Sequence, residues 1–322
     1  MSICDKIAIY IKVKPYKEIV MKNSLPLCDT FSFTSAAEAL TLLPSRPVRS
    51  SKGDFGRVLC VCGSYGMAGA AYLCAKAAYR SGAGLVEIFT HESNRIILQT
   101  LIPEAIVTTY TDEYSRDDLL PPLERADCVV AGCGLSVTTL SRKILSDLLH
   151  SADREKTPLV LDADALNLLS QNPSLMKYTK GAVITPHPKE MSRLTGISVE
   201  EILSSPADTA RTYAQRHSLV CVLKDHRTVA SDGSSRVYLN TTGNNGMATG
   251  GSGDVLAGII GGILAQRRNS KKDLLHLSAL GIYIHGLAGD IASRELGEYS
   301  LMANDIIDAL PKALKRKGGQ AF

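Results

Sequence analysis

From Arg57 onward the chain alternates between short β-branched runs and segments whose apolar residues recur at helical spacing. This alternation constrains the fold more than any other feature. Strands are predicted at Arg57–Cys62, Leu85–Phe89, Asp127–Ala131, Pro158–Leu161, Ala182–Ile184, Leu219–Leu223, Thr228–Ala230 and Arg236–Leu239. Helices are predicted near Gly69–Ser81, Asn94–Leu101, Ser136–His150, Lys189–Thr195 and Pro206–His217. Strands and helices of these lengths make βαβ units, hence an α/β fold with a mostly parallel central sheet flanked by helices on both faces. The last two runs enclose Ser231-Asp-Gly233, a hairpin signal. After residue 254 the pattern changes to three consecutive helices, Asp254–Gln266, Asp273–Arg294 and Met302–Lys315. The first is apolar almost all round and should be buried.

The pair of prolines in Pro44-Ser-Arg-Pro47 suggests a boundary. Residues 1–45 then form an N-terminal extension of no assigned role, and 46–318 one domain. Net charge is only +4 and the basic residues are scattered, apart from Lys312-Ala-Leu-Lys-Arg-Lys317, which suits a solvated helix end. With no Trp and few aromatics, nucleic-acid binding is not expected. The apolar stretch Ile7–Val13 is short and broken by Lys12, with Lys14 and Lys17 following, and no run of about 18 uninterrupted apolar residues occurs. No membrane association is expected. Eight cysteines show no CxxC pair; Cys60 and Cys62 share a strand face, which suits buried free thiols and a reducing, cytoplasmic compartment.

The strongest local signal is Gly243-Asn-Asn-Gly-Met-Ala-Thr-Gly-Gly-Ser-Gly-Asp254, with five glycines in eleven residues ahead of an apolar helix. Such a start lets backbone N–H groups approach an anion, and the helix dipole favours negative charge there. Asp254 then stands beside the bound anion. That placement is awkward for simple binding but suits a general base acting on a hydroxyl that attacks phosphate. A helix cap alone would not call for so many glycines.

Other signals fall at predicted strand ends or helix starts, where parallel sheets bind ligands. Thr185-Pro-His-Pro-Lys-Glu190 fixes His187 in a rigid turn, with Glu190 either near a hydrated Mg²⁺ or favouring the helix start. Leu161-Asp-Ala-Asp-Ala-Leu-Asn167 offers oxygen ligands, one of which (Asp164) could simply cap a helix. Gly63-Ser-Tyr-Gly-Met-Ala-Gly-Ala-Ala71 is a strand–turn–helix unit lacking the Lys-Ser/Thr of a P-loop, and Gly132-Cys-Gly134 is a second glycine turn. Lys224 ends a strand where nucleotide phosphate could lie.

Together, Gly63-Ser…Gly69-Ala-Ala, Leu161-Asp-Ala-Asp-Ala-Leu-Asn, Thr185-Pro-His-Pro-Lys-Glu and Met247-Ala-Thr-Gly-Gly-Ser-Gly-Asp-Val-Leu-Ala-Gly258 resemble the NAD(P)H-hydrate dehydratases of the ribokinase-like superfamily, in that family's order. The resemblance implies a hydro-lyase of nicotinamide cofactor repair. It removes water from the S epimer of hydrated NADH or NADPH (NADHX, NADPHX), driven by ADP going to AMP and phosphate, or by ATP in eukaryotic members. It implies Asp254 as catalytic base, with Ala70, Gly134, His187, Glu190 and Arg193 around the hydrate. The nucleotide would lie against Lys224, Asp225, His226, Arg227 and Thr228, and against Asn244, Asn245, Gly246, Met247, Ala248, Thr249, Gly250, Gly251, Ser252 and Gly253. Mg²⁺ would bridge the phosphates, with no residue assigned to hold it. Asp225 departs from the Gly that many relatives carry there. The resemblance further implies a homotetramer and functional pairing with a separate epimerase, since only about 45 residues precede the core. The alternatives are a ribokinase-like small-molecule kinase of the vitamin-precursor type and a non-catalytic nucleotide sensor.

Overall fold

The computed structural model describes residues 29–152 and 157–315. One sheet of ten strands runs through it. In chain order these are β1 (Asp29–Phe31), β2 (Arg57–Val61), β3 (Leu85–His91), β4 (Ile106–Tyr110), β5 (Cys128–Ala131), β6 (Leu159–Leu161), β7 (Val183–Ile184), β8 (Val220–Leu223), β9 (Val229–Ser231) and β10 (Arg236–Leu239). Their order across the sheet is β1-β10-β9-β8-β7-β6-β5-β2-β3-β4. Only β9 runs against its neighbours, through the expected hairpin with β10. The helices are α1 (Ala36–Leu40), α2 (Ala68–Arg80), α3 (Arg95–Leu101), α4 (Arg116–Glu124), α5 (Thr139–Ser151), α6 (Asp164–Gln171), α7 (Pro188–Thr195), α8 (Val199–Ser204), α9 (Pro206–His217), α10 (Ser252–Ala265), α11 (Leu274–Leu296) and α12 (Ala303–Ala313).

Strand alternation builds two cores. Val58, Cys60, Val130, Val160, Val183 and Val222 face α1, α2, α3, α10, α11 and α12. Leu59, Val61, Val129, Leu161, Ile184 and Leu223 face α4 to α9. Helices therefore cover both faces, as a parallel sheet requires. The predicted all-round burial of α10 holds from Val255 to Ala265. Its small residues permit this: a side chain at Gly258 would strike the Cys74 carbonyl on α2, and one at Gly261 would strike Val130 on β5.

After β2 the chain builds outward through β3 and β4, then returns to place β5 on the other side of β2. The carboxyl ends of β2 and β5 therefore diverge in connection at a switch point, where open α/β sheets bind ligands. Helix α11 is long and apolar enough by composition to cross a membrane, but 67% of its most apolar window is buried inside the protein. It is a core helix.

The boundary expected at residue 45 does not separate residues 29–43 from the body. Strand β1 pairs in parallel with β10, Asp29 opposite Arg236 and Phe31 opposite Tyr238. Phe33, Ala39 and Leu40 are buried in the first core. The rings of Phe31 and Phe33 each lie 5.3 Å from that of Tyr238. The prolines at 44 and 47 mark a surface crossing within the domain. The stretch Ile7–Val13, Cys4, Cys28 and the tail beyond Lys315 lie outside the described residues.

Candidate active site

The segments after β2, β5, β6, β7 and β8 converge with the start of α10. The loops after β2 and β5 are laced by backbone bonds: Gly63 N–H donates to the Cys133 carbonyl at 2.9 Å, and Ser64 N–H to the Gly134 carbonyl at 2.7 Å. Asn94 supports them by donating to the Gly63 and Ser64 carbonyls at 3.3 and 2.9 Å. This lacing brings Ala70 to Gly134, whose φ is +60° and where an added Cβ would lie 2.8 Å from the Ala70 Cβ.

Beyond β6, Asp162 is almost fully buried and its Oδ1 lies 2.7 Å from Lys224 Nζ at the end of β8. Gly251 begins α10 in the left-handed region (φ +91°), which a glycine adopts without strain. The helix start then passes over the pair: a Cβ at Gly253 would lie 3.4 Å from Lys224 Nζ and 3.6 Å from Asp162 Oδ2. Carboxylate oxygens of Asp254 and Asp162 and the Sγ of Cys133 lie within 4.8 Å of one another.

Electrostatics follow from this crowding. Burial, reinforced by the Asp162 charge, pushes the Asp254 carboxyl up to about 7, against the partial opposition of Cys133 and Lys224. Burial, again with Asp162, also takes Glu190 to about 7, while Lys224, the His187 N–H and Arg193 pull the other way. Burial alone would lower Lys224, but Asp162 and Glu190 outweigh it and hold the ammonium above its ordinary value. A group that titrates near 7 can exchange protons at neutral pH.

The other singled-out residues divide. His187 caps α7: its Nδ1 accepts from the Lys189 and Glu190 N–H groups at 3.1 and 3.2 Å, and Glu190 Oε2 accepts from the His187 N–H at 2.8 Å. Of the two roles open to Glu190, this reciprocal capping is the one visible. Burial, then the Lys224 charge, lowers the His187 pKa, which favours the neutral ring. Arg193 bonds Asn167 Oδ1 at 2.7 Å. Asp164 does not cap α6; Ala163 holds that position with φ +48°, and Asp164 Oδ2 instead accepts the Ser136 N–H at 2.7 Å. Asp225, His226 and Arg227 form an exposed turn directly after Lys224, with the half-buried Thr228 at its end. Asn244 to Gly250 form the approach to α10.

The sequence profile of the NAD(P)H-hydrate dehydratases matches residues 58–312, most of the chain. The chain belongs to this family. It is 40% identical over 87% of its length to a bifunctional NAD(P)H-hydrate repair enzyme of Moorella thermoacetica, of which it covers 53%. It thus spans about half the length of the first such relatives. An ADP-dependent (S)-NAD(P)H-hydrate dehydratase of Lactiplantibacillus plantarum is 36% identical over 84% of this chain and 92% of its own. Among solved structures, the ADP/ATP-dependent NAD(P)H-hydrate dehydratase of Bacillus subtilis, co-crystallised with ATP and Mg²⁺, superposes with a TM-score of 0.72 at 29% identity, covering 88% of this chain and 97% of that one. A ribokinase-like superfamily protein of Enterococcus faecalis gives 0.79 at 32% identity, covering 91% and 98%.

Several residues of the site lie outside the glycine, proline and aspartate motifs. Asp290 on α11 accepts from the Gly243 N–H and from Asn244 Nδ2, both at 3.0 Å, and so holds the loop that leads to α10. His285, also on α11, lies 3.3 Å from Ser252 Oγ and is driven by burial to a pKa of about 4, so its ring is neutral. A polar residue at these positions in an otherwise apolar helix was the available signal. Cys133 carried none, because its partners are distant in sequence.

Mg²⁺ retains several waters and is usually held by one or two carboxylates plus substrate phosphates. Asp162, Asp254 and Glu190 put three carboxylates around the single ammonium of Lys224, and two of them are pushed up to about 7. A hydrated divalent cation would relieve that surplus, so the donor set fits. Cys133 sulfur is too soft to take part.

Proposed function

We propose that this chain catalyses the nucleotide-driven dehydration of the S epimer of hydrated NADH or NADPH, with ADP yielding AMP and phosphate. The observation that carries the reading is Asp254. Its carboxyl titrates near 7, at the first turn of an anion-favouring helix and directly beside the Lys224–Asp162 pair.

In its ionised form Asp254 takes the proton from the ring hydroxyl as that oxygen attacks the terminal phosphorus of the nucleotide. The bond to the bridging oxygen breaks and AMP departs. The N–H groups at Gly251 and Gly253 receive the charge that develops on the phosphoryl oxygens, while the Ser252 N–H is turned to the Thr249 carbonyl at 3.4 Å. The ring nitrogen's lone pair then expels phosphate from the ring carbon, and the adjacent carbon loses a proton to restore the dihydronicotinamide. The sum is loss of water from the cofactor and hydrolysis of one phosphoanhydride. Ala70 and Gly134, packed without bulk, leave room for the ring, and the His187–Arg193 segment flanks it. Asp162 and Glu190 would hold Mg²⁺ through its waters, and the ion would neutralise the phosphates.

The nucleotide would run from the α10 start towards the exposed 225–228 turn. Selectivity for one epimer calls for an epimerase activity, fused or separate, to supply it. The free, buried thiols are consistent with work in a reducing cytoplasm. Incubating the protein with NADHX, Mg²⁺ and either ADP or ATP should regenerate the absorbance of NADH. No recovery with either nucleotide rejects the reading, and a stable phosphorylated product would assign the chain to the kinases instead.

A further inference from the structure

Two clusters of ligand atoms share Cys133. On the cleft side lie Asp162 and Asp254; on the core side the Sγ atoms of Cys62, Cys74 and Cys133 lie within 4.8 Å of one another. Cys60 Sγ is a further 3.8 Å from that of Cys74. These residues come from separate elements. Cys60 and Cys62 lie two residues apart along β2 and its extension, Cys74 comes from α2 laid over that face, and Cys133 comes from the loop after β5. All are fully buried and free.

An isolated buried cysteine is a small apolar side chain, as Cys128 and Cys221 are here. Three that converge are different. Metal–sulfur bonds of about 2.3 Å set ligand sulfurs about 4 Å apart, so the observed cluster needs only a small contraction. Thiolates select soft ions over Mg²⁺. Charge selects among the soft ions. Three thiolates leave a divalent ion with one surplus negative charge and a monovalent ion with two. The smaller surplus favours the divalent ion.

We propose that Cys62, Cys74 and Cys133 form a three-thiolate site for a soft divalent cation such as Cd²⁺ or Zn²⁺, entered from the cleft past Asp162 and Asp254. Each thiol releases its proton to solvent as its bond to the metal forms, so three protons leave per ion and no electron moves. Occupancy turns Cys133 from the cleft and places the cation behind Asp254, which inhibits the enzyme. That consequence rests on the reading of Asp254 as base; metal capture does not.

The test uses Cd²⁺ and the full chain carrying Cys4→Ser and Cys28→Ser, which removes thiols outside the described region. One equivalent of Cd²⁺ should produce thiolate-to-cadmium charge-transfer absorption, release about three protons, and persist with millimolar Mg²⁺ present. Cys62→Ala and Cys133→Ala should each abolish stoichiometric binding, whereas Cys221→Ala should retain it. No absorption in the parent protein, release of fewer than two protons, or binding undiminished in Cys62→Ala and Cys133→Ala overturns the site. The proton count needs only the parent protein, so it decides even if a variant fails to fold. If Cd²⁺ binds as described while NADH regeneration is absent with or without it, the catalytic reading fails and the metal site stands.

Discussion

Lys224 Nζ lies 2.7 Å from Asp162 Oδ1 beneath the first turn of α10, so a buried ion pair forms the floor on which Asp254 is set. The Asp162 side chain is 2% exposed, leaving water little part in stabilising its charge. Replacing Lys224 with Met strands that carboxylate, and removal of one partner of a buried pair costs about 3 kcal/mol. The substitution also withdraws a cation that pulls Asp254 down. Lys224→Met should therefore lower Tm and move the acid limb of the kcat/KM profile to higher pH. A limb that stays in place would mean that Lys224 does not act on the base.

Asp254→Asn keeps the shape of the side chain and removes its basicity. Turnover should fall by about 10²-fold or more, while nucleotide still binds. In the unaltered protein the base must be unprotonated, so kcat/KM should decline as pH falls through about 7. Calorimetric titration with ADP alongside steady-state rates separates the two effects; equal loss of binding and rate would make Asp254 a binding residue only.

The motif segments were legible because each is a run of Gly, Pro or Asp immediately after a β-branched strand, a pattern local in sequence. What was hidden is not local. Asp162 and Lys224 are 62 residues apart and meet only because β6, β7 and β8 are neighbours in the sheet. The three thiols converge for the same reason. Strand β4 and helix α4 were missed at the opposite edge. Pro121 and Pro122 lie inside α4, where a missing N–H argues against helix. The three residues of β1 were hidden by their shortness and by the prolines that follow. Asp164 looked like a cap because Asp favours that position, but the positive φ at Ala163 shifts the helix start and frees its carboxylate for Ser136.

Asp254→Asn should also change how stability depends on pH. The folded pKa of Asp254 is raised to about 7 from 3.8. Such a group contributes stability below its unfolded pKa, and that contribution is lost as pH rises through the folded value. Asn never acquires the buried charge. The Tm of Asp254→Asn should exceed that of the parent at pH 8, and the gap should narrow as pH falls below about 7 and close only near the unfolded value of 3.8. The comparison is between the two proteins, so other titrating groups, such as the depressed His217 and His285, cancel. A gap that is constant with pH would show that folding does not raise the Asp254 pKa into this range and that the carboxyl is ionised throughout it.

Two glycines distinguish strain from occupancy. At Gly134, with φ +60°, alanine would be strained and its Cβ would meet that of Ala70 at 2.8 Å. Gly134→Ala should cost about 1–3 kcal/mol and, by pushing the two loops apart, raise KM for the hydrate more than Kd for nucleotide. At Gly253 the added methyl would make ordinary contacts, 3.4 Å to Lys224 Nζ and 3.6 Å to Asp162 Oδ2. Alanine is also the better helix former. Gly253→Ala should therefore leave Tm unchanged or slightly raised. Its methyl would nevertheless stand over the ion pair, where the terminal phosphate is proposed to lie, so nucleotide affinity should fall by about tenfold, equivalent to about 1.4 kcal/mol. Thermal unfolding measured beside ADP binding resolves the pair. If Gly253→Ala binds ADP as the parent does, the phosphate lies elsewhere and the placement of the nucleotide over α10 is wrong.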